Sequence, residues 1–155
     1  MRLIPLPPNR RALVYLIACS KRKAETPMPA RDLYAISPLF RKALALAEGE
    51  DPAGVHILSA EHGQIGPDDV IAPYNHALAS DPKMRRDGWG LSVASDLAET
   101  YKGRRPHYVV IAGRDYRQPL VKHLPSYAVP LAGLGIGEQL RELNRLLALR
   151  PAPTT

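Results

Sequence analysis

The chain has 155 residues, 45% of them apolar and 23% charged, which suits one folded core and argues against wholesale disorder. Its formal net charge of +6 favours an anionic partner, whether an anionic small molecule or a nucleic acid, although scattered surface cations give the same total. The longest apolar stretch, Ala12 to Cys19, is too short to span a bilayer, and a lone Cys19 cannot form an internal disulfide. Prolines interrupt the start, Met1-Arg2-Leu3-Ile4-Pro5-Leu6-Pro7-Pro8, before a signal-peptide core can form. The expectation is a cytoplasmic protein with no membrane segment: an exposed arm over 1–10, one α/β domain over 11–150 and a tail over 151–155.

In chain order, Arg11 to Ser20 reads as a buried strand, because Val14, Tyr15 and Ile17 favour β structure and both faces are apolar. The segment from Arg22 to Ala35 has no periodicity and reads as a loop long enough to carry function. Ser37 suits an N-cap and Pro38 the first helical position, and Phe40, Leu44 and Ala47 recur at helical spacing; a helix is predicted over about 38 to 48. Val55 to Ser59 reads as a second strand, followed by a long, turn-rich connection to Ala79. Ser80 or Asp81 can cap the next helix, where Met84, Leu91, Ala94, Leu97 and Tyr101 follow helical spacing while Gly88 and Gly90 weaken or break it.

Tyr108 to Ala112 reads as the third strand, with a short helix from about Arg117 to His123 behind it. A fourth strand, Ala128 to Leu131, contains Pro130, which cannot donate to a ladder and belongs at a sheet edge. The last helix spans about Gly137 to Leu149, with Ile136, Leu140, Leu143 and Leu147 on one stripe and Pro151 ending it. Strands alternating with helices imply parallel pairing and right-handed crossovers. The predicted fold is therefore a single three-layer, Rossmann-like α/β domain whose sheet has about four strands in the order 2-1-3-4, with helices on both faces. The crevice between strands one and three is then the topological switch point, where open α/β sheets place their ligands.

The clusters that follow the strands carry the candidate chemistry. Cys19-Ser20-Lys21-Arg22-Lys23 crowds cations together, which disfavours each ammonium; a lysine so tuned can act as a nucleophile, and the same cations can instead hold phosphate. Lys23, Lys21, His62 and Cys19 are the catalytic candidates, His62 as acid or base and Cys19 as a thiol that is equally a small core residue. Gly63 permits an unusual turn after Glu61-His62. Gly113, Arg114, Tyr116 and Arg117 suit a phosphate or carboxylate, with Asp115 a cap for the helix behind them. Gly135, within Gly133-x-Gly135-x-Gly137, opens the last helix, but neither a dinucleotide fingerprint nor a Walker loop is present. The histidines have no metal-ligand spacing, so neither a metal nor a cofactor is expected.

Several of these segments, with Ala30-Arg31-Asp32-Leu33-Tyr34, Ser37-Pro38-Leu39-Phe40, Pro73-Tyr74 and Pro130 to Gly137, resemble a largely uncharacterised family of bacterial and phage α/β proteins. The resemblance runs from about Leu13 to Leu147 and adds Ser20, Arg31, Tyr34, Ser37 and Tyr74 to the candidate ligand-binding residues. Cys19-x3-Lys23, and Tyr34-x2-Ser37 after an insertion, are also similar to motifs in the core domain of archaeosine synthase, which modifies a deazaguanine base in tRNA. Here Pro-Tyr does not follow the lysine directly, and Phe40 stands where that enzyme has a histidine. The resemblance implies Lys23 as nucleophile and a modified nucleobase as substrate. The expected function is an enzyme acting on a nucleobase, nucleotide or nucleic-acid base; a non-catalytic nucleotide or nucleic-acid-binding module, or a regulatory domain with a vestigial pocket, are the alternatives.

Overall fold

A computed structural model describes residues 2–150; Met1 and the expected tail over 151–155, with Pro151, lie outside the described residues. In chain order the elements are β1 (Ala12–Ala18), β2 (Met28–Pro29), α1 (Ala30–Leu33), α2 (Pro38–Gly49), β3 (Gly54–Ser59), β4 (Gly63–Ile65) and β5 (Val70–Ile71). A 3-10 turn (Leu78–Ser80), α3 (Lys83–Thr100), β6 (Pro106–Ile111), α4 (Arg114–Val121), β7 (Tyr127–Ala128) and α5 (Ile136–Ala148) complete them.

β1 is the centre of a mostly parallel sheet, because its side chains are apolar on both faces and must be covered twice. Leu13, Tyr15 and Ile17 join one cluster with residues of α1, α2 and α5, whereas Val14 and Leu16 join a second with residues of α3 and α4. All five are at most 1% exposed, and burying each large apolar side chain contributes about 1.5–3 kcal/mol. Helices therefore cover both faces of a mixed α/β domain, and among the described residues no helix is long and apolar enough to cross a membrane.

The sheet has five strands, ordered β4-β3-β1-β6-β7, rather than about four. The addition is β4, antiparallel to β3; Gly63, at φ 78°, turns the chain back after Ser59 in a conformation that favours glycine. β7 is shorter than expected and ends before Pro130, whose missing N–H stops the ladder. The loop expected from Arg22 to Ala35 holds β2, which pairs with β5, and α1, whose first amides donate to the carbonyls of Asp69 and Pro67 at 2.9 and 2.8 Å.

The helices also depart from expectation in instructive ways. Gly88 and Gly90 leave α3 unbroken, since a Cβ at Gly90 would lie 1.9 Å from the Pro119 carbonyl oxygen: the glycine lets α3 and α4 approach. α3 is entered through Pro82, with no side-chain cap from Ser80 or Asp81. α4 begins at Arg114, three residues before the predicted start. On α5 the buried residues are Leu143 and Leu146, and Ile136 is 70% exposed, outside the expected stripe.

The segment expected to be an exposed arm is docked. The Leu3 and Ile4 amides donate to Glu50 Oε1 at 2.8 and 3.0 Å, and Leu3, Ile4 and Leu6 pack on the cluster beneath α2 and α5. A carboxylate only 5% exposed requires such donors, and those amides supply them.

Candidate functional site

β1 and β6 run side by side with Ile17 opposite Ile111, so the residues after them emerge together at one rim. β1 pairs with β3 on its other side and β6 with β7, which makes the gap between β1 and β6 the place where the connections diverge. Two hollows open there, of about 270 and 170 Å3. The larger has apolar walls from Ile17, Leu39, Phe40 and Ile111, with Ser37, Asp115 and Gln139 as polar points. The smaller is bordered by Lys21, Lys23, Asn75 and His76. Cys19, Ser20, Asp115 and Tyr116 line both, and the Cys19 Sγ to Tyr116 Oη contact of 3.3 Å lies where the two lobes meet.

Local structure sets these positions. The Cys19 amide extends the ladder by donating to Leu58 O at 2.9 Å, which holds the start of the cationic turn against β3. Ser37 Oγ accepts the Phe40 N–H at 3.3 Å, capping α2 at the mouth of the larger lobe. Gly113 is the N-cap of α4, so Asp115 and Tyr116 fall in the first helical turn directly after β6. The Tyr116 ring meets Trp89 edge-on at 5.4 Å, and Trp89 Nε1 donates to Ser59 O at 2.9 Å.

A network of hydroxyls joins the neighbouring elements. Tyr74 Oη is 2.6 Å from Tyr34 Oη and 2.7 Å from Ser59 Oγ, which also accepts the His62 N–H at 3.1 Å. Burial pushes Tyr34 up to about 12, with the hydrogen bond to Tyr74 opposing the shift and the neighbouring Cys19 sulfur adding to it. Tyr74 and Tyr116 are raised further, again mainly by burial and then by Cys19. At neutral pH these phenols are therefore uncharged and able to donate. The Lys23 ammonium lies 4.5 Å from the Tyr74 ring centroid and donates to Lys21 O at 3.2 Å. Ser20 Oγ donates to Arg22 O at 2.6 Å, closing the same turn on itself.

Cys19, Ser20, Lys21, Lys23, Ser37, Gly113 and Tyr116 thus border the crevice, while Tyr34 and Tyr74 support it. His62 is exposed; its ring meets Tyr74 edge-on at 5.3 Å, and it lines neither lobe. Gly63 serves the β3–β4 hairpin. Arg31 is tied elsewhere, to Glu48 at 2.9 Å and Asp68 at 2.7 Å, and these carboxylates hold its guanidinium even further above the usual range. Gly135 caps α5, and the residue from that turn that reaches the larger lobe is Gln139.

Arg114 and Arg117 also lie outside the crevice. Residues 114, 117, 118 and 121 share one face of α4, as their i, i+3, i+4, i+7 spacing requires, and line a separate groove of about 300 Å3 with Tyr127 and Val129. Sequence reasoning missed Asp115 as a crevice residue, along with Gln139 and the support from Ser59. It also missed that His76 clasps two carboxylates, with Nδ1 2.9 Å from Glu61 and Nε2 2.8 Å from Asp81. Those bonds, to Asp81 first and then Glu61, raise the His76 pKa.

No curated protein and no solved structure matches the chain. A family model does, over residues 14–145, from β1 into α5 and including every residue of both lobes. The chain belongs to that family, DUF6884, a family of unknown function.

Proposed function

We propose that the chain is an enzyme acting on a nucleobase-bearing substrate, with the base in the larger lobe, the sugar over the Cys19–Tyr116 contact and Lys23 as nucleophile. The observation that carries this reading is that Cys19, Ser20, Asp115 and Tyr116 line both lobes, joining an apolar slot to a cationic one. Phe40, Leu39 and Ile111 offer apolar walls for a planar ring, and the Asp115 carboxylate accepts hydrogen bonds from ring or amino N–H groups. Lys21 suits an attached phosphate. The Cys19-x3-Lys23 spacing, similar to that of archaeosine synthase, and the divergence of connections between the parallel strands β1 and β6 support the same placement.

In the proposed reaction the Lys23 amine, once it has given up its extra proton, attacks a carbonyl or glycosidic carbon; its two N–H protons leave with the carbonyl oxygen as water, or pass to the departing base and to the sugar ring oxygen as the bonds from the glycosidic carbon to both break, and an imine remains. Neutral Tyr116 donates a hydrogen bond to the oxygen or nitrogen that gains electron density. Borohydride reduction in the presence of candidate nucleosides and nucleotides should leave a covalent adduct on Lys23, located by peptide mass spectrometry. Turnover undiminished in Lys23→Ala sinks the nucleophile assignment. Retained nucleotide binding without any adduct or turnover would favour the non-catalytic module.

A further inference from the structure

The groove on the far face of α4 has no role in the crevice chemistry. Arg114 and Arg117 enter no ion pair among the described residues, and Arg117 Nε is buried without a hydrogen-bond partner among them. Both cations stand in or next to the first turn of α4, where the helix dipole opposes positive charge; the Gln118 side-chain oxygen accepts from Arg114 Nε at 2.9 Å and steadies that guanidinium, but no carboxylate among the described residues neutralises either charge. Beside them Tyr127 is 45% exposed on the edge strand β7, an aromatic ring with open space above it.

We infer that this groove holds a polynucleotide strand whose next nucleotide enters the crevice, so that the substrate base is carried by nucleic acid rather than presented as a free nucleotide. The inference rests on the nucleobase reading of the crevice. α4 ties the two places together: Asp115 and Tyr116 face the crevice while Arg114 and Arg117 face the groove, on opposite sides of a single helix. A phosphodiester on the arginines therefore lies about one helix diameter, roughly 10 Å, from the crevice. Lys21 after β1 and the arginines beside β7 give the strand cationic contacts on either side of Tyr116. Tyr127 supplies a stacking face for the neighbouring base. Ile36, next in sequence to the lining residue Ser37, is 49% exposed, and Ile136, one turn before the lining residue Gln139, is 70% exposed; such exposed apolar side chains suit contact with bases flanking an extruded one.

The test is fluorescence anisotropy with labelled single-stranded DNA and RNA oligonucleotides and a blunt DNA duplex, with unlabelled nucleoside monophosphates as competitors. Proteins compared are the full chain and its Arg114→Gln/Arg117→Gln and Tyr127→Ala variants, each checked for an unchanged circular dichroism spectrum. Single strands should bind more tightly than duplex or monophosphate, and the double variant should lose about tenfold or more in strand affinity. Its salt slope should become shallower by about 1.4, for two lost phosphate contacts on a single strand. Tyr127→Ala should lose about tenfold. Monophosphate binding should be unchanged in both variants. Strand affinity that equals monophosphate affinity, or is unaffected by the arginine changes, overturns this inference and leaves the nucleobase reading intact. Arginine-dependent strand binding that no monophosphate competes for contradicts the nucleobase reading and leaves the groove as a strand-binding surface.

Discussion

Replacing Tyr74 by Phe keeps the ring beneath Lys23 and removes only the hydroxyl that joins Tyr34 to Ser59. Two short hydrogen bonds are lost, at 2.6 and 2.7 Å, and the Tyr34 hydroxyl, on a residue 0% exposed, is left without that partner. A net hydrogen bond is worth about 0.5–1.5 kcal/mol, and a stranded buried hydroxyl costs about 1–3 kcal/mol, so Tyr74→Phe should destabilise by about 2–4 kcal/mol. Tyr34→Phe loses one bond while Tyr74 keeps Ser59, and should cost about 0.5–1.5 kcal/mol. The double variant no longer strands the Tyr34 hydroxyl, so its cost should fall short of the sum of the single changes by about 1 kcal/mol. Urea unfolding followed by Trp89 fluorescence and circular dichroism measures all three, and an unchanged m value licenses the comparison. Single costs that add to within about 0.3 kcal/mol would refute the coupled network.

Three other perturbations test separate parts of the structure. Gly88→Ala, with nothing within 4 Å of the added methyl, should stabilise α3 by about 0.5–1 kcal/mol; Gly90→Ala, aimed at the Pro119 carbonyl, should destabilise by about 1–3 kcal/mol or more, and thermal unfolding that ranks them the other way contradicts the α3–α4 contact. By NMR, His76 should titrate above the ordinary value of 6.5, whereas His56 and His107, both held neutral mainly by burial, should titrate below it. The contribution of His76 to stability is accordingly present in acid and lost as pH rises through its folded value, and that of His56 is present above pH 6.5 and lost as pH falls. Tyr34 and Tyr108 are raised from 10.0 to about 12, so their contribution is complete below pH 10 and lost between about 10 and 12; a urea midpoint that stays flat across that range would contradict their burial.

The strongly patterned parts of the fold were legible. β1 announces itself by apolar residues on both faces, and α2 by Ser37 and Pro38 at its start. β2, β4 and β5 were not, because strands of two or three residues show no period, and the pairing of β2 is decided by the distant Val70 and Ile71. The strand-end clusters at Cys19 and Gly113 could be read as one rim, but which side chains face the crevice depends on helical phase. Starting α4 at Arg117 hid the fact that Arg114 shares a face with Arg117 and not with Asp115 or Tyr116. Arg31 was misjudged for a related reason: its partners Glu48 and Asp68 are 17 and 37 residues away, and only the folded chain brings them together.

The central claim, that the crevice between β1 and β6 is a nucleobase site, is met most directly by a crystal structure of the chain with a nucleoside monophosphate. The account predicts the base in the larger lobe against Phe40 and Ile111, hydrogen-bonded to Asp115, with the sugar over Cys19 and Tyr116 and the phosphate beside Lys21. A base bound outside that lobe, or a crevice left empty at saturating nucleotide, would contradict it.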